Sequence, residues 1–472
     1  MRRKMLSLLV GVFLAVVTLF GTACSDQPTP VPPDDGVTVW TPETIRQRPV
    51  TENDLLIGSY VSLSNSTLGQ SSREQIKRLA DGGLNFMPLA SCISSADMID
   101  QGERMRRDLS SLDWWKRIDE VMQENNMVYY FSTKAGLGND YETVRGAEDP
   151  VSDAAVMAAA QIVPELNNCV GYLVKDEPSY AEFDNLAKYA KQYAAIKEDA
   201  SVMVNHFPFP VGYSGDYYSY LKSWVTKAGA ENIQYLGHDK YPFFTGGTDY
   251  TLLTSMEDMR KIGVETGVEL ACFLQSCAWS GTRMPTFEEI KWELNAYLAH
   301  GFTMFTYFNY SMYPYENCSD AIFDMSGNML HQELYDALAE YHCQVRAMAA
   351  NTDFKQLTSQ NVFYTSASAP TGTRRLGGNW YVDNTNLKDT DYLLAYLTDS
   401  DESQEYMIIM NNSFSKAVAQ QEFLLGSRAS EYSAWELYDM ETGKFEALET
   451  DGGSFTLAFD KSEIKLIRLI RE

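Results

Sequence analysis

From Leu55 to Ala350 short apolar runs alternate with segments whose apolar residues recur at helical spacing. The runs are Leu55–Leu63, Leu84–Ala90, Met127–Thr133, Val170–Lys175, Ser201–His206, Ile233–His238, Val268–Gln275 and Phe302–Asn309. Most are nearly continuous in hydrophobicity, as strands buried on both faces should be. Helix starts are marked by Ser71-Ser72-Arg73-Glu74, Ser179-Tyr180-Ala181-Glu182 and Thr286-Phe287-Glu288-Glu289. Each places a Glu three residues after a hydroxyl, the spacing of a capping box. The last helix carries Leu334, Leu338, Tyr341, Val345 and Met348 on one stripe. Eight such repeats over residues 52–351 predict a (β/α)8 TIM barrel. An open doubly wound sheet is the alternative, but Gly58-Ser59-Tyr60 supplies no Gly-rich first turn.

After Asn351 the helical spacing stops. Nine β-like runs follow, from Asn361–Ser368 to Ile464–Ile470, with a hairpin signal at Glu441-Thr442-Gly443-Lys444. Residues 352–472 are therefore expected to form an all-β sandwich. Its expected role is packing against the barrel.

The first residues follow a different logic. Arg2, Arg3 and Lys4 precede an apolar run from Leu6 to Phe20, too short to span a bilayer comfortably. Gly21-Thr22-Ala23-Cys24 then resembles a bacterial lipoprotein cleavage site, which implies a signal peptide over 1–23 and a lipid on Cys24. The Pro-rich stretch within 24–51 reads as a semi-rigid tether. Its Ser-Asp start resembles the surface-export tethers of Bacteroidetes lipoproteins. The expected location is the outer membrane, facing the periplasm or the cell surface. Membrane contact would run only through the lipid anchor.

Charge narrows the partners. The 472 residues carry 38 Lys plus Arg against 64 Asp plus Glu, a net charge of -26. Such a chain repels phosphate backbones, which argues against nucleic acid. Cys92, Cys169, Cys272, Cys277, Cys318 and Cys343 show no C-x-x-C spacing, and nothing selects a pairing, so buried free thiols are expected. No His-Glu-x-x-His, phosphate loop or EF-hand loop occurs, so no metal or cofactor is expected.

In a β/α barrel the chemistry sits where the strands end. The candidate ends are Ser59 and Tyr60; Thr133 and Lys134; Asp176 and Glu177; Asn205 and His206; Asp239 and Tyr241; Gln275 and then Trp279; and Tyr307 and Asn309 with the aromatic loop Tyr310, Tyr313 and Tyr315. The most specific stretch is Gly171-Tyr172-Leu173-Val174-Lys175-Asp176-Glu177-Pro178. Two adjacent carboxylates at an apolar mouth raise at least one pKa. A carboxyl still protonated near neutral pH can protonate a glycosidic oxygen. The competing reading, that the pair only caps the next helix, is weakened because Ser179 fills that role.

This stretch resembles the strand-4 motif of clan-A glycoside hydrolases, where Asn-Glu-Pro supplies the acid/base Glu. The resemblance implies Glu177 as general acid and Asp176 in the Asn position that contacts a sugar 2-hydroxyl. Tyr241 matches the family's strand-6 Tyr, and the trailing sandwich is similar to that of β-galactosidase-like members. One departure matters: Gln275 stands where the family has its nucleophilic Glu. Glu269 lies six residues earlier, roughly 20 Å away at the barrel floor. Asp239 is the best remaining carboxylate, unless it only pairs with Lys240 or Lys175. A separation of about 6.5–9.5 Å from Glu177 would allow an inverting mechanism with Asp239 activating water. Asn205, His206, Tyr241, Gln275, Trp279, Tyr307 and Asn309 are the candidate substrate contacts. For His206 a satisfied barrel histidine competes. The expected partner is an oligosaccharide or polysaccharide. A catalytically inactive carbohydrate-binding barrel, or a barrel with another substrate, are the alternatives.

Overall fold

A computed structural model describes residues 38–60, 72–88, 98–100, 103–104, 111–132, 161–197, 199–209, 216–313, 317–366, 369–370, 373–377, 381–386, 390–450 and 453–471. The signal segment, Cys24, the tether up to residue 37, Ser71, Cys92, Thr133, Lys134 and Tyr315 lie outside these residues.

Eight parallel strands close into a barrel: β1 (Leu56–Ser59), β2 (Phe86–Met87), β3 (Val128–Ser132), β4 (Cys169–Asp176), β5 (Ser201–His206), β6 (Tyr235–Asp239), β7 (Glu269–Gln275) and β8 (Phe302–Phe308). Each lies beside its successor in sequence, and β8 closes onto β1 with Leu56 opposite Met304. Seven helices flank them among the described residues: α1 (Ser72–Asp81), α2 (Leu112–Glu124), α3 (Phe183–Ile196), α4 (Tyr217–Ala228), α5 (Leu252–Thr266), α6 (Phe287–Ala299) and α7 (Gln332–Asn351). Of a helix between β3 and β4, only Gln161 and Ile162 are described.

Local chemistry sets these boundaries. Thr286 and Glu289 form the capping box that starts α6, with Thr286 N donating to Glu289 Oε2 at 2.9 Å. Ser179 and Glu182 form another ahead of α3. Along each strand alternate residues face the lumen. On β7, Ala271 and Phe273 join the lumen core, whereas Cys272 and Leu274 pack outward on helices. Both faces are dry, which is why the strands read as unbroken apolar runs. Gly171 gives the lumen its room, since a Cβ there would lie 2.3 Å from Ser201 O and 2.7 Å from the Tyr130 ring.

One irregularity decides which side chains reach the mouth. The register of β4 against β5 shifts between Leu173 and Lys175. Leu173 faces the lumen and Val174 faces the helices. Strict alternation would turn Lys175 inward and Asp176 outward. The bulge reverses this: Lys175 pairs with Glu182 at 3.5 Å, and Asp176 lies level with Asn205. Bulges beside active sites commonly re-aim a side chain in this way.

The C-terminal strands form two sheets. A seven-stranded sheet runs in the order Arg374–Arg375, Thr358–Tyr364, Tyr392–Thr398, Glu405–Asn411, Ile464–Ile470, Ala434–Tyr438, Phe445–Ala447. A three-stranded sheet holds Val382–Thr385, Val418–Leu425 and Ser454–Phe459. The larger sheet is covered on both sides. Leu393, Ala395 and Leu397 belong to the core shared with the barrel helices, while Tyr392, Leu394 and Tyr396 face the smaller sheet. The architecture is an α/β TIM barrel with a β-sandwich.

Polar bonds stitch the two parts. Trp292 Nε1 donates to Asn412 Oδ1 at 2.8 Å, and Asn295 Nδ2 to Ser462 O at 2.8 Å. Buried Arg260 pairs with Glu257 and donates to Ser359 O and Gln360 O at 2.9 and 2.8 Å. No helix among the described residues is long and apolar enough to cross a membrane.

Candidate functional site

Asp176, Glu177, Asn205 and Asp239 converge where β4, β5 and β6 end. Asn205 Nδ2 donates to Asp176 Oδ1 at 2.8 Å, and Tyr60 Oη donates to Asp176 Oδ2 at 3.2 Å. Both of its oxygens are therefore held. Glu177 follows at a φ of +47°, in the left-handed region that non-glycine residues seldom occupy. Its N–H donates to Asn205 O at 2.7 Å, and its side chain is exposed. Such a conformation costs on the order of 1–3 kcal/mol and persists only where its surroundings impose it.

Asp239 ends β6 on the lumen side and is buried. Its Oδ1 has no hydrogen-bond partner. Burial, then the charges of Glu177 and Asp176, push its carboxyl well above the usual carboxylate range; the nearby Asn205 amide works in the other direction. Lys240 does not neutralise it, since that ammonium pairs with Asp249 at 2.9 Å and donates to Phe209 O at 2.7 Å. The protonated form of Asp239 is therefore favoured more than in an ordinary carboxylate. A raised carboxyl suits a proton donor better than the base that activates water, the role expected of Asp239.

Aromatic rings wall the acids. Tyr241 meets Trp279 edge-on at 4.8 Å between centroids, and Phe308 at 5.3 Å. Tyr60 meets Phe273 at 5.3 Å, and Phe308 meets Tyr313 at 5.3 Å. Burial and the charges of Asp239 and Asp176 raise the Tyr241 phenol well above its usual range, so it stays a neutral donor. Tyr60, Tyr241, Trp279, Phe308 and Tyr313 are each partly exposed. Such faces suit the C–H face of a pyranose ring while the acids meet its hydroxyls.

Other candidates lie elsewhere. His206 points outward from β5 into Phe183, Tyr220 and Trp224, and burial brings its imidazole down to about 3. Tyr307 also points outward and donates to His342 Nε2 at 2.8 Å. Neither is brought to the acids. Asn309 follows a cis peptide after Phe308, is buried, and accepts from Ser59 Oγ at 3.4 Å. Gln275 is fully buried, and its amide is spent on backbone: it accepts from Phe243 N at 2.8 Å and donates to Arg283 O at 2.8 Å and Phe243 O at 3.1 Å. It clamps two loops instead of presenting a free group to the mouth.

Tyr60 and Phe308 were missing from the sequence-derived set of substrate contacts. Tyr60 stands one residue beyond β1, and Phe308 follows lumen-facing Met304 by four residues along β8. Strand alternation alone would have found Phe308. Among the described residues, no group of three or more His, Cys, Asp or Glu side chains is arranged to hold a metal ion.

Comparison with solved structures places this geometry in context. A beta-galactosidase from Bacillus circulans sp. alkalophilus aligns with a TM-score of 0.53 at 9% identity, covering 88% of this chain and 99% of its own. A glycoside hydrolase family 5 protein from Bacteroides vulgatus gives 0.51 at 10%, covering 88% and 89%. A catalytic mutant of a GH42 beta-galactosidase from G. stearothermophilus gives 0.50 at 10%, covering 89% and 99%. The chain has a glycoside hydrolase-like fold. At these identities the likeness is one of fold, and fold alone does not assign a reaction. The sequence matches no protein-family model and no curated protein. Within this glycoside hydrolase-like fold, the acids occupy the strand ends where β/α barrels carry their chemistry.

Proposed function

We propose that this protein is a glycoside hydrolase that cleaves O-glycosidic bonds of an oligosaccharide or polysaccharide. The observation that carries the reading is the lumen-mouth cluster of Asp176, Glu177 and Asp239 against an aromatic wall, with the Asp239 carboxyl raised by burial and by its two acidic neighbours. Hydrolysis needs one carboxyl that donates to the leaving oxygen and another that assists water or attacks. We assign the donor role to Asp239, whose carboxyl is raised. Exposed Glu177 then serves as the base, the reverse of the roles implied by the strand-4 motif. Asp176, held by Tyr60 and Asn205, orients a sugar hydroxyl.

Two variants test this. Glu177→Gln and Asp239→Asn are assayed on a natural glycan and on aryl glycosides with good leaving groups. Loss of the donor spares the aryl substrates, and loss of the base slows both. Aryl activity retained by Asp239→Asn and lost by Glu177→Gln supports the assignment. The opposite pattern restores Glu177 as the acid. Full activity of both variants removes the glycosidase reading.

Gln275 favours a second reading, a carbohydrate-binding barrel without turnover. A neutral amide bonded to backbone forms no glycosyl ester. Glycan binding that never yields a reducing end, across a broad panel, would establish it.

The N-terminal pattern supports export with a lipid on Cys24. Cys24→Ala should release the protein from the membrane fraction, and unchanged membrane association would refute the anchor.

A further inference from the structure

Two thiols meet beside the aromatic wall, in a place the glycosidase reading does not use. Cys277 lies in a short strand, Cys277–Ala278, paired antiparallel with Asp320–Ala321. Ser319 N donates to Ala278 O at 2.8 Å, which fixes the chain just after Cys318 against this strand. The Cys277 thiol is buried and accepts from Asn309 N at 3.0 Å. The Cys318 thiol is partly exposed and is hydrogen-bonded to Cys277. The other described cysteines, Cys169, Cys272 and Cys343, are buried.

We infer that Cys277 and Cys318 are a redox-active pair that closes to a disulfide in an oxidising compartment, tying the segment that bears Trp279 to the segment that follows Tyr313. The two thiols differ in reactivity. The hydrogen bond with Cys277 brings the Cys318 thiol down to about 7 against the opposing effect of burial. Burial pushes Cys169 up to about 12 and also raises Cys272 and Cys343. The thiolate is the attacking form, so Cys318 reacts first. Its sulfur attacks a disulfide of the exchange type, such as oxidised glutathione, and expels one reduced thiolate. Cys277 then gives up its proton and attacks the Cys318 sulfur of the mixed disulfide. The second glutathione leaves as a thiolate. Two protein thiols are oxidised and one external disulfide is reduced.

The pairing stands apart from the glycosidase proposal, because it needs no substrate and no turnover. The full chain is treated with oxidised glutathione at about pH 8, digested without reduction and mapped by tandem mass spectrometry. A Cys277–Cys318 linked peptide is expected, and Cys318→Ser should abolish it. In untreated protein, iodoacetamide should label Cys318 at least about tenfold faster than Cys169, Cys272 or Cys343 near neutral pH. Recovery of wild-type Cys318 as a free thiol or a lasting glutathione adduct, without the Cys277 link, overturns the inference.

Discussion

Asn205 holds the end of β4 twice: its side-chain amide donates to Asp176 Oδ1 at 2.8 Å, and its backbone carbonyl accepts from Glu177 N at 2.7 Å. The same amide also favours the charged form of Asp239. One residue on β5 thus sets both the positions and the proton distribution of the acids. Asn205→Ala should remove the side-chain bond and keep the backbone one. The Asp239 carboxyl should then rise further, moving the limb of the pH–activity profile that it governs to higher pH. Stability should fall by about 1–3 kcal/mol, the cost of a broken buried hydrogen bond. Thermal melting and a pH–rate series check both.

Four of the five histidines are buried and neutral. Burial lowers His206 and His238 to about 3, and His300 and His342 to about 4. The unfolded chain takes up protons there below about 6.5, while the folded chain does not. Each group therefore makes the fold less stable as pH drops from that value toward its folded pKa, by up to about 1.4 kcal/mol per pH unit. His206→Phe, set among Phe183, Tyr220 and Trp224, should flatten this slope by one histidine's share. Urea unfolding between about pH 4 and pH 7 measures it.

Gln275→Glu should not create a nucleophile. The amide's donor bonds to Phe243 O and Arg283 O become contacts between a carboxylate and carbonyl oxygens. A destabilisation of at least about 1–3 kcal/mol is expected, growing with pH as the new carboxyl ionises. A melting-temperature difference from wild type that is larger at pH 8 than at pH 5, with no gain in turnover, is the expected result.

Trp279→Ala should weaken glycan binding with little effect on folding, because the ring is partly exposed. Loss of one stacking face corresponds to roughly 0.5–1.5 kcal/mol, up to about a tenfold rise in KM or Kd. Calorimetric titration with the glycan that the screens identify measures it.

Arg260→Ala should be far more damaging than a surface charge change. It removes one half of a buried ion pair and two bonds to Ser359 O and Gln360 O, leaving buried Glu257 only the longer pairing with Lys261 at 3.7 Å. The expected loss is about 3–5 kcal/mol in denaturant unfolding.

The barrel was legible in the sequence because every strand is dry on both faces and several helices carry their own start signals. The central sandwich strands were legible for the same reason. The site was legible only in part, because strand ends were read as blocks. Asn205 and His206 are neighbours in sequence, but one faces the lumen and the other the helices. Tyr307 and Phe308 divide in the same way. The bulge in β4 was not legible at all: it arises from pairing with β5, and no local pattern in Leu173-Val174-Lys175 announces it. The raised carboxyl of Asp239 likewise depends on burial and on two neighbours far away in the chain.

The strand Ile464–Ile470 has its own consequence. It lies inside the seven-stranded sheet, between Glu405–Asn411 and Ala434–Tyr438. The strands before it and those from residues 434 to 447 therefore join into one sheet only once it is in place. Until then the outer surfaces of α5 and α6 have no permanent cover, so nascent barrels are exposed to aggregation. Deletion of residues 464–470 alone should be as disabling as loss of the sandwich.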